Sequence, residues 1–109
     1  MTEISVQELK SRMDSGEKLN IIDVREEWEY QEFNIGAQHL PLSLFMSKLS
    51  ELENLKNEEV IVHCKMGGRS TQAAMILEQL GFKNVKNVTG GMDAWRLHFD
   101  PSSTPPAPR

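Results

Sequence analysis

The sequence predicts an α/β fold with a mainly parallel sheet, because two kinds of segment alternate along the chain. Short runs rich in Val and Ile, such as "LNIIDV" and "VIVH", lack alternation of polar and apolar residues. Such runs are typical of strands that are covered on both faces. The order of elements is helix, strand, helices, strand, helix, strand and helix, which favours parallel strands joined by helices. In folds of this kind, functional sites lie beyond the carboxyl ends of the strands.

The first half of the chain is predicted to hold a helix, a strand and a second helical segment. Ser5, with Glu8 three residues later, has the pattern of a capping box, and apolar residues then recur at helical spacing until Gly16. The run at 19–24 is the first predicted strand. The stretch "SLFMSKLSELENL" (43–55) places its leucines and a phenylalanine on one helical face, so we predict a helix there.

The second half begins with the predicted strand at 60–63, which is followed by a glycine pair and a helix. We expect Ser70 and Thr71 to cap this helix and Gly81 to lie at its C-terminal end. The stretch "NVKNV" then predicts a third, weaker strand, and "GGMDAWRLHF" predicts a turn and a last helix.

The end of the chain differs in composition from the rest. Residues 101–109, "PSSTPPAPR", are rich in Pro and Ser and offer almost nothing to bury. We therefore predict one domain over residues 1–100 and a flexible tail over residues 101–109.

Composition limits the classes of function. The 109 residues are 39% hydrophobic and 26% charged, which is ordinary for a soluble globular domain and argues against a membrane protein. The net charge is −4 without a Lys/Arg cluster, so nucleic acid is not an expected partner. The start of the chain lacks the pattern of a signal peptide, and one cysteine cannot form an internal disulfide. We therefore expect a cytoplasmic location.

The single cysteine, Cys64, directly follows a predicted strand and opens the loop "CKMGGRS". Glycines let backbone N–H groups turn inward, and the N-terminus of the next helix adds partial positive charge. Lys65 and Arg69 supply two cations on an otherwise acidic chain. These features favour the thiolate form and attract a small anion, so we predict Cys64 as a nucleophile.

Two other interpretations of Cys64 are a buried structural residue and a metal ligand. Most free cysteines are small buried hydrophobic residues. Metal binding is not expected, because there is no second cysteine and the adjacent His63 would point to the opposite face of the strand. No cofactor is expected either.

Three stretches resemble the rhodanese-like domains, which are sulfurtransferases. "CKMGGRS" is similar to the active-site loop of that family, in which a cysteine, two variable residues, a glycine and one variable residue precede arginine and serine or threonine. "IIDVREEWEY" resembles the family's Asp-Val-Arg-Glu segment, and "NVTGGMDAW" resembles its Gly-Gly-x-x-x-Trp ending. The similarity spans roughly residues 4–98. One departure is Phe33, which stands where the family commonly has a histidine.

The resemblance implies a three-layer fold with a mainly parallel five-stranded sheet and helices on both faces. It implies that Cys64 takes a sulfane sulfur from thiosulfate or a persulfide donor and carries it as a persulfide. The implied acceptor is a thiol, cyanide or a sulfur-carrier protein, and neither nucleic acid nor a membrane is a partner. A monomer and a weak dimer both stay open. The implied substrate-binding residues are those of the loop: Lys65, Met66, Gly67, Gly68, Arg69 and Ser70.

Alternative functions remain open at this point. Cysteine-dependent phosphatases and arsenate reductases of the same fold place five residues between the cysteine and the arginine, whereas "KMGG" is four. Non-catalytic binding modules of the family generally lack the cysteine. The end "GGMDAWRLHFDPS" also resembles domains fused to enzymes that activate sulfur-carrier proteins.

Several charged and aromatic residues are given structural roles. Asp23 and Arg25 follow the first predicted strand and are expected to form an ion pair that holds loops in place. Trp95 is expected to pack the last helix, and Trp28 to lie in the core or at its rim. A solvated face is expected for a set of acidic residues: Glu51, Glu53, Glu58 and Glu59.

Overall fold

A computed structural model describes residues 1–100, and the predicted tail over 101–109 lies outside the described residues. Strands and helices alternate along the chain. Their order is β1 (Thr2–Ile4), α1 (Val6–Asp14), β2 (Ile21–Asp23), α2 (Glu27–Glu32), β3 (Gln38–His39), α3 (Phe45–Lys48), β4 (Glu59–His63), α4 (Gly68–Gln79), β5 (Asn84–Val88) and α5 (Gly91–Phe99).

The five strands form one sheet in the order β1-β5-β4-β2-β3, and every neighbouring pair runs parallel. The central strand β4 pairs Ile61 with Ile21 of β2 and Val60 with Val85 of β5. The predicted parallel sheet is therefore confirmed. Because β4 is central, the residues after it emerge at the middle of the carboxyl edge.

Both faces of the sheet are covered. One core lies between the sheet and α3 and α4, and it contains Val60, Val62 and Cys64. The other lies between the sheet and α1 and α5, and it contains Ile61. Alternate residues of β4 thus enter opposite cores, which explains why Val60, Ile61 and Val62 show no alternation of polar and apolar residues.

Three short elements were not predicted from residue patterns. β1 has three residues, of which only Ile4 is buried, and β3 has two. The helix α2, "EWEYQE", is almost entirely polar, and Glu29 is its buried residue. Elements this short give too few positions for a periodic pattern to be seen.

The predicted helix over 43–55 is not continuous. α3 is flanked by 3-10 turns at Leu42–Leu44 and Leu49–Leu55. Phe45 and Leu52 are both fully buried, as the spacing requires. Apolar spacing therefore predicted the buried positions Phe45 and Leu52, but Leu44 on the predicted face is 44% exposed. The spacing also did not distinguish an α-helix from 3-10 turns.

The start of α4 corrects the predicted cap. Its N-cap is Gly67, whose φ of +125° is strained for other residues. Ser70 and Thr71 lie inside the first turn, where the Thr71 hydroxyl donates to the Gly67 carbonyl over 2.7 Å and the Ser70 hydroxyl lies 3.2 Å from the same carbonyl. At the other end of α4, Gly81 has a φ of +94°, as expected for a residue that ends a helix.

Glu59 is not part of a solvated acidic face, contrary to the prediction. Its carboxylate accepts a hydrogen bond from Arg12 of α1 over 2.5 Å and another from Lys86 of β5. The Arg12 hydrogen bond, more than any other contact, lowers the pKa of Glu59 to about 2. This ion network joins three elements at the edge of the sheet opposite the Cys64 loop.

Within the described part of the chain, no helix has the length and apolar character needed to cross a membrane.

Candidate active site

Cys64 lies directly after β4, at the floor of the loop that leads into α4. Its side chain is 1% exposed and contacts the apolar core on the α4 side of the sheet. Its Sγ accepts a hydrogen bond from the Gly67 N–H over 3.0 Å and lies 3.3 Å from the Ser70 hydroxyl. The thiol is therefore covered by the apolar core on one side and surrounded by the loop residues on the other.

The first turn of α5 holds the loop in shape. The Met92 N–H donates to the Cys64 carbonyl over 2.9 Å, and the Asp93 N–H donates to the Lys65 carbonyl over 3.0 Å. The C=O and N–H of a trans peptide point in opposite directions. The N–H groups of Lys65 and Met66 therefore point away from α5, which gives the loop inward-facing donors of the kind that bind anions.

Gly91 makes this close contact possible. A Cβ atom at Gly91 would lie 2.4 Å from the Cys64 carbonyl oxygen and 2.6 Å from that of Lys65. Only a residue without a side chain lets α5 approach the loop so closely. The Gly-Gly motif at 90–91, although distant from Cys64 in the sequence, thus lies directly against the loop.

Both loop cations are ion-paired, and neither partner was predicted from the sequence. Arg69 donates two hydrogen bonds, over 2.5 and 2.8 Å, to the carboxylate of Glu29 in α2. Lys65 donates to Asp93 of α5 over 2.9 Å. Backbone amides are consequently the main unshared positive groups near the sulfur.

The Arg69–Glu29 pair also fixes the charge of both groups. Burial is the largest single influence on Glu29 and opposes its ionisation. The Arg69 hydrogen bonds, a backbone hydrogen bond at Glu26 and the charges of Arg69 and Arg25 together outweigh burial, so the pKa of Glu29 lies below its ordinary value. The hydrogen bonds to Glu29 also raise the pKa of Arg69. The pair thus remains charged on both sides, and it ties α2 to the rim of the site.

The loop encloses an open pocket of about 450 Å³ above the sulfur. The pocket is lined by Cys64, Lys65, Met66, Gly68 and Arg69. Met66 is 66% exposed and stands at the rim. Its other side faces an apolar groove of about 600 Å³, which is lined by Met66, Gly90, Asp93, Ala94 and Leu97. A small anion can reach the sulfur from above, and a larger molecule can rest beside it.

Asp23 and Arg25 form the predicted ion pair. The Arg25 Nη2 donates to Asp23 over 2.8 Å and to the Phe33 carbonyl over 2.6 Å, and both charged groups are buried. The Phe33 ring lies 5.0 Å below the guanidinium of Arg96. The residue that departs from the family pattern therefore makes a packing contact with α5.

His63 lies on the other face of the sheet from Cys64, as expected. It is fully buried, and its Nε2 is 3.8 Å from Asp23. Burial lowers the pKa of His63 to about 4 despite the nearby carboxylate. The imidazole is thus neutral at pH 7 and takes no part in the pocket above the sulfur. No three His, Cys, Asp or Glu side chains in residues 1–100 are arranged to hold a metal ion.

Four residues around the site were not predicted to take part: Glu29, Asp93, Asn87 and Glu3. Asn87 offered one signal, since it is a polar residue in a strand that neighbours β4 on the sheet. No signal in the sequence pointed to Glu29 or Glu3, because their partners Arg69 and Asn87 are 40 and 84 positions away along the chain.

Comparison with known proteins agrees with this geometry. The rhodanese-like domain family matches residues 5–98. The "Putative sulfur carrier protein YrkF" of Bacillus subtilis is 43% identical over 94 residues, which cover 85% of this chain and 50% of that protein. A "Sulfurtransferase" of Allochromatium vinosum is 33% identical over 106 residues, which cover 96% of this chain and 97% of that protein.

The structures agree as well. A rhodanese-like domain protein from Staphylococcus aureus superposes with a TM-score of 0.79 at 31% identity, covering 87% of this chain and 91% of the other. The chain spans half or less of several longer relatives, including 22% of an adenylyltransferase and sulfurtransferase of Zea mays. The family match over 5–98, together with the placement of Cys64 below its loop, shows that this chain belongs to the rhodanese-like domain family.

Proposed function

We propose that the protein is a sulfurtransferase that moves a sulfane sulfur through a persulfide on Cys64. The observation that carries this proposal is the position of the Cys64 Sγ. It accepts a hydrogen bond from the Gly67 N–H at the floor of an open pocket. Inward-facing amides stabilise negative charge on the thiolate and on a terminal persulfide sulfur.

With thiosulfate as donor, the reaction has two balanced steps. The Cys64 thiolate attacks the outer sulfur, a new S–S bond forms, and sulfite leaves with the electron pair of the broken S–S bond. A nucleophilic acceptor then attacks the terminal sulfur of the persulfide, and the Cys64 thiolate leaves. A small-molecule persulfide serves as donor in the same way, with a thiolate as leaving group.

The acceptor comes from outside the domain. The 109 residues contain one cysteine, so a Cys64 persulfide cannot close to a disulfide within them. A thiol or cyanide can serve, and we propose a sulfur-carrier protein as the macromolecular acceptor. The names of relatives, which include a sulfur carrier and an adenylyltransferase and sulfurtransferase, support this choice. A cytoplasmic location, where thiols stay reduced, suits this chemistry.

Steady-state kinetics with thiosulfate and cyanide test the proposal. Because the enzyme is modified in the first step and restored in the second, we expect thiocyanate formation with parallel double-reciprocal lines. Cys64→Ser is expected to abolish the reaction, and it is a close match in size because only the sulfur is replaced.

Two results would contradict the proposal. Thiocyanate formation by Cys64→Ser at the wild-type rate would show that the sulfur does not pass through this residue. Hydrolysis of p-nitrophenyl phosphate by the wild type, without transfer from thiosulfate or from glutathione persulfide, would instead favour a phosphatase.

A further inference from the structure

A chain of polar groups within hydrogen-bonding distance of one another runs from the Cys64 sulfur to the surface through Ser70, Asn87 and Glu3. Ser70 is fully buried and Asn87 is 4% exposed. The Ser70 hydroxyl bonds to the Asn87 Oδ1, and it lies 3.3 Å from the Cys64 Sγ and 3.2 Å from the Gly67 carbonyl.

The Ser70 hydroxyl cannot serve all three neighbours at once. A serine hydroxyl has a single hydrogen to donate, while the amide oxygen, the carbonyl oxygen and the thiolate can each accept it. If the Ser70 hydroxyl donates its hydrogen to Asn87, it cannot donate a hydrogen bond to the sulfur. Which acceptor receives the hydrogen therefore changes the stabilisation of the Cys64 thiolate.

The orientation of the Asn87 amide decides this competition, and Glu3 fixes the orientation. The Asn87 Nδ2 lies 3.2 and 3.3 Å from the two carboxylate oxygens of Glu3. An ionised carboxylate only accepts hydrogen bonds, so the NH₂ group faces Glu3 and the Oδ1 faces Ser70. The Thr89 hydroxyl donates to the same carboxylate over 2.9 Å and holds it in place.

We propose that Asn87 and Glu3 are positioning residues that keep the Ser70 hydrogen away from the Cys64 sulfur. The resting thiolate then has the Gly67 N–H as its donor and shares no hydrogen with Ser70. A thiolate that is less stabilised by hydrogen bonds binds its proton more tightly and attacks sulfur more readily. This inference rests on the proposed function, because it concerns how ready the Cys64 nucleophile is to react.

Other charged groups around the site act independently of this chain. The charged and titratable residues that surround Cys64 on its loop and on the packed elements are His63, Lys65, Arg69, Glu29, Asp93 and Glu3. Lys65 and Arg69 are paired with Asp93 and Glu29, and none of these four contacts Ser70 or Asn87 in the described hydrogen bonds. A double-mutant cycle between Ser70 and Asn87 therefore isolates the proposed effect.

The test measures the pH midpoint for alkylation of Cys64 by iodoacetamide. Asn87→Ala releases the Ser70 hydrogen to the thiolate, so we expect the midpoint to fall by about one pH unit, the effect of one hydrogen bond to a charged group. Ser70→Ala is expected not to raise the midpoint. In the double variant, the shift caused by Asn87→Ala is expected to disappear.

Several outcomes would overturn the inference. A midpoint that rises in Ser70→Ala would mean that Ser70 already donates to the sulfur in the wild type. A shift from Asn87→Ala that is zero, or that persists without Ser70, would mean that Asn87 does not act through it. If Asn87 had only a structural role, Asn87→Ala would loosen the pocket whether or not Ser70 is present. The alkylation midpoint would then shift by the same amount in both cases.

Glu3 provides a second test, because it lies on the exposed edge strand β1 and its substitution leaves the core intact. Glu3→Ala removes both the charge and the acceptor, whereas Glu3→Gln removes the charge and keeps an acceptor oxygen. The midpoint is expected to fall further in Glu3→Ala than in Glu3→Gln, and equal shifts would contradict the inference. Alkylation requires no sulfur donor, so failure of sulfur transfer and failure of this inference are seen separately.

Discussion

Single residues at the carboxyl edge of the sheet divide into two groups, those that face the pocket and those held beneath it. Cys64 faces the pocket, where the Gly67 N–H contacts its sulfur. His63, one position earlier, lies beneath the sheet beside Asp23. The alternation of side chains along β4 thus separates the Cys64 thiol from the His63 imidazole.

The buried imidazole of His63 predicts a loss of stability in mild acid. Burial lowers its pKa from 6.5 to about 4 in the folded state. Between these pH values the unfolded chain binds the proton and the folded protein does not, so the free energy of unfolding falls as pH falls from 6.5 to 4. The loss from this group is about 3 kcal/mol.

His63→Phe is the variant that checks this prediction. Neither ring nitrogen of His63 has a hydrogen-bond partner among residues 1–100, so Phe removes the titrating group without breaking a hydrogen bond. Urea denaturation at several pH values is expected to show a flatter pH dependence between 6.5 and 4. The control is His98→Gln, which removes an exposed imidazole. An unchanged pH dependence in His63→Phe would contradict the assignment.

The position of Cys64 in a loop that leads into a helix could be predicted from the sequence, because two glycines, two cations and the start of the helix all lie within seven positions. The ion pairs that Lys65 and Arg69 form could not be predicted from the sequence. Glu29 is 40 positions from Arg69, and Asp93 is 28 positions from Lys65. Local spacing carries no information about which acidic residues the fold brings to the loop.

At the scale of elements, α5 shapes the loop although it begins 27 positions after Cys64. Its first N–H groups bind the Cys64 and Lys65 carbonyls, and Gly91 allows the close approach. The site is therefore built from two helix N-termini. α4 follows the loop, and α5 supports it from behind.

Substitution of Gly91 tests this support. Gly91→Ala places a methyl group 2.4 Å from a backbone oxygen at a positive φ, and we expect a loss of about 3 kcal/mol in the free energy of unfolding. Gly36→Ala is the matched control, because Gly36 also has a positive φ but nothing lies within 4 Å of an added Cβ. Its expected loss is about 1 kcal/mol.

Urea denaturation of both variants gives the comparison. Equal losses would show that the backbone conformation alone, and not contact with the loop, requires glycine at Gly91. Sulfur transfer is expected to fall further in Gly91→Ala than in Gly36→Ala, since only the former moves the loop carbonyls.

The longer elements could be predicted from the sequence, whereas the shorter ones could not. β4 contains the unbroken apolar run from Val60 to Val62, and α4 has helical spacing over its twelve residues. β3 has two residues, and its place in the sheet depends on pairing with β2. Its formation is decided by tertiary contacts that no local pattern reports.

At the scale of the whole molecule, alternation of strands and helices was enough to predict a parallel sheet covered on both faces. The strand order β1-β5-β4-β2-β3 was not predicted, because it depends on which connection crosses which face. That order places β4 at the centre of the sheet. Cys64 consequently emerges where both cores and two helix N-termini meet.

In the proposed reaction, Cys64 carries the transferred sulfur atom as a persulfide. The most direct measurement is the intact mass of the purified protein after incubation with thiosulfate, with Cys64→Ser treated in parallel. We expect the wild type to gain the mass of one sulfur atom, cyanide to remove it, and Cys64→Ser to gain nothing. A wild-type protein that gains no sulfur from thiosulfate or from glutathione persulfide would contradict the account.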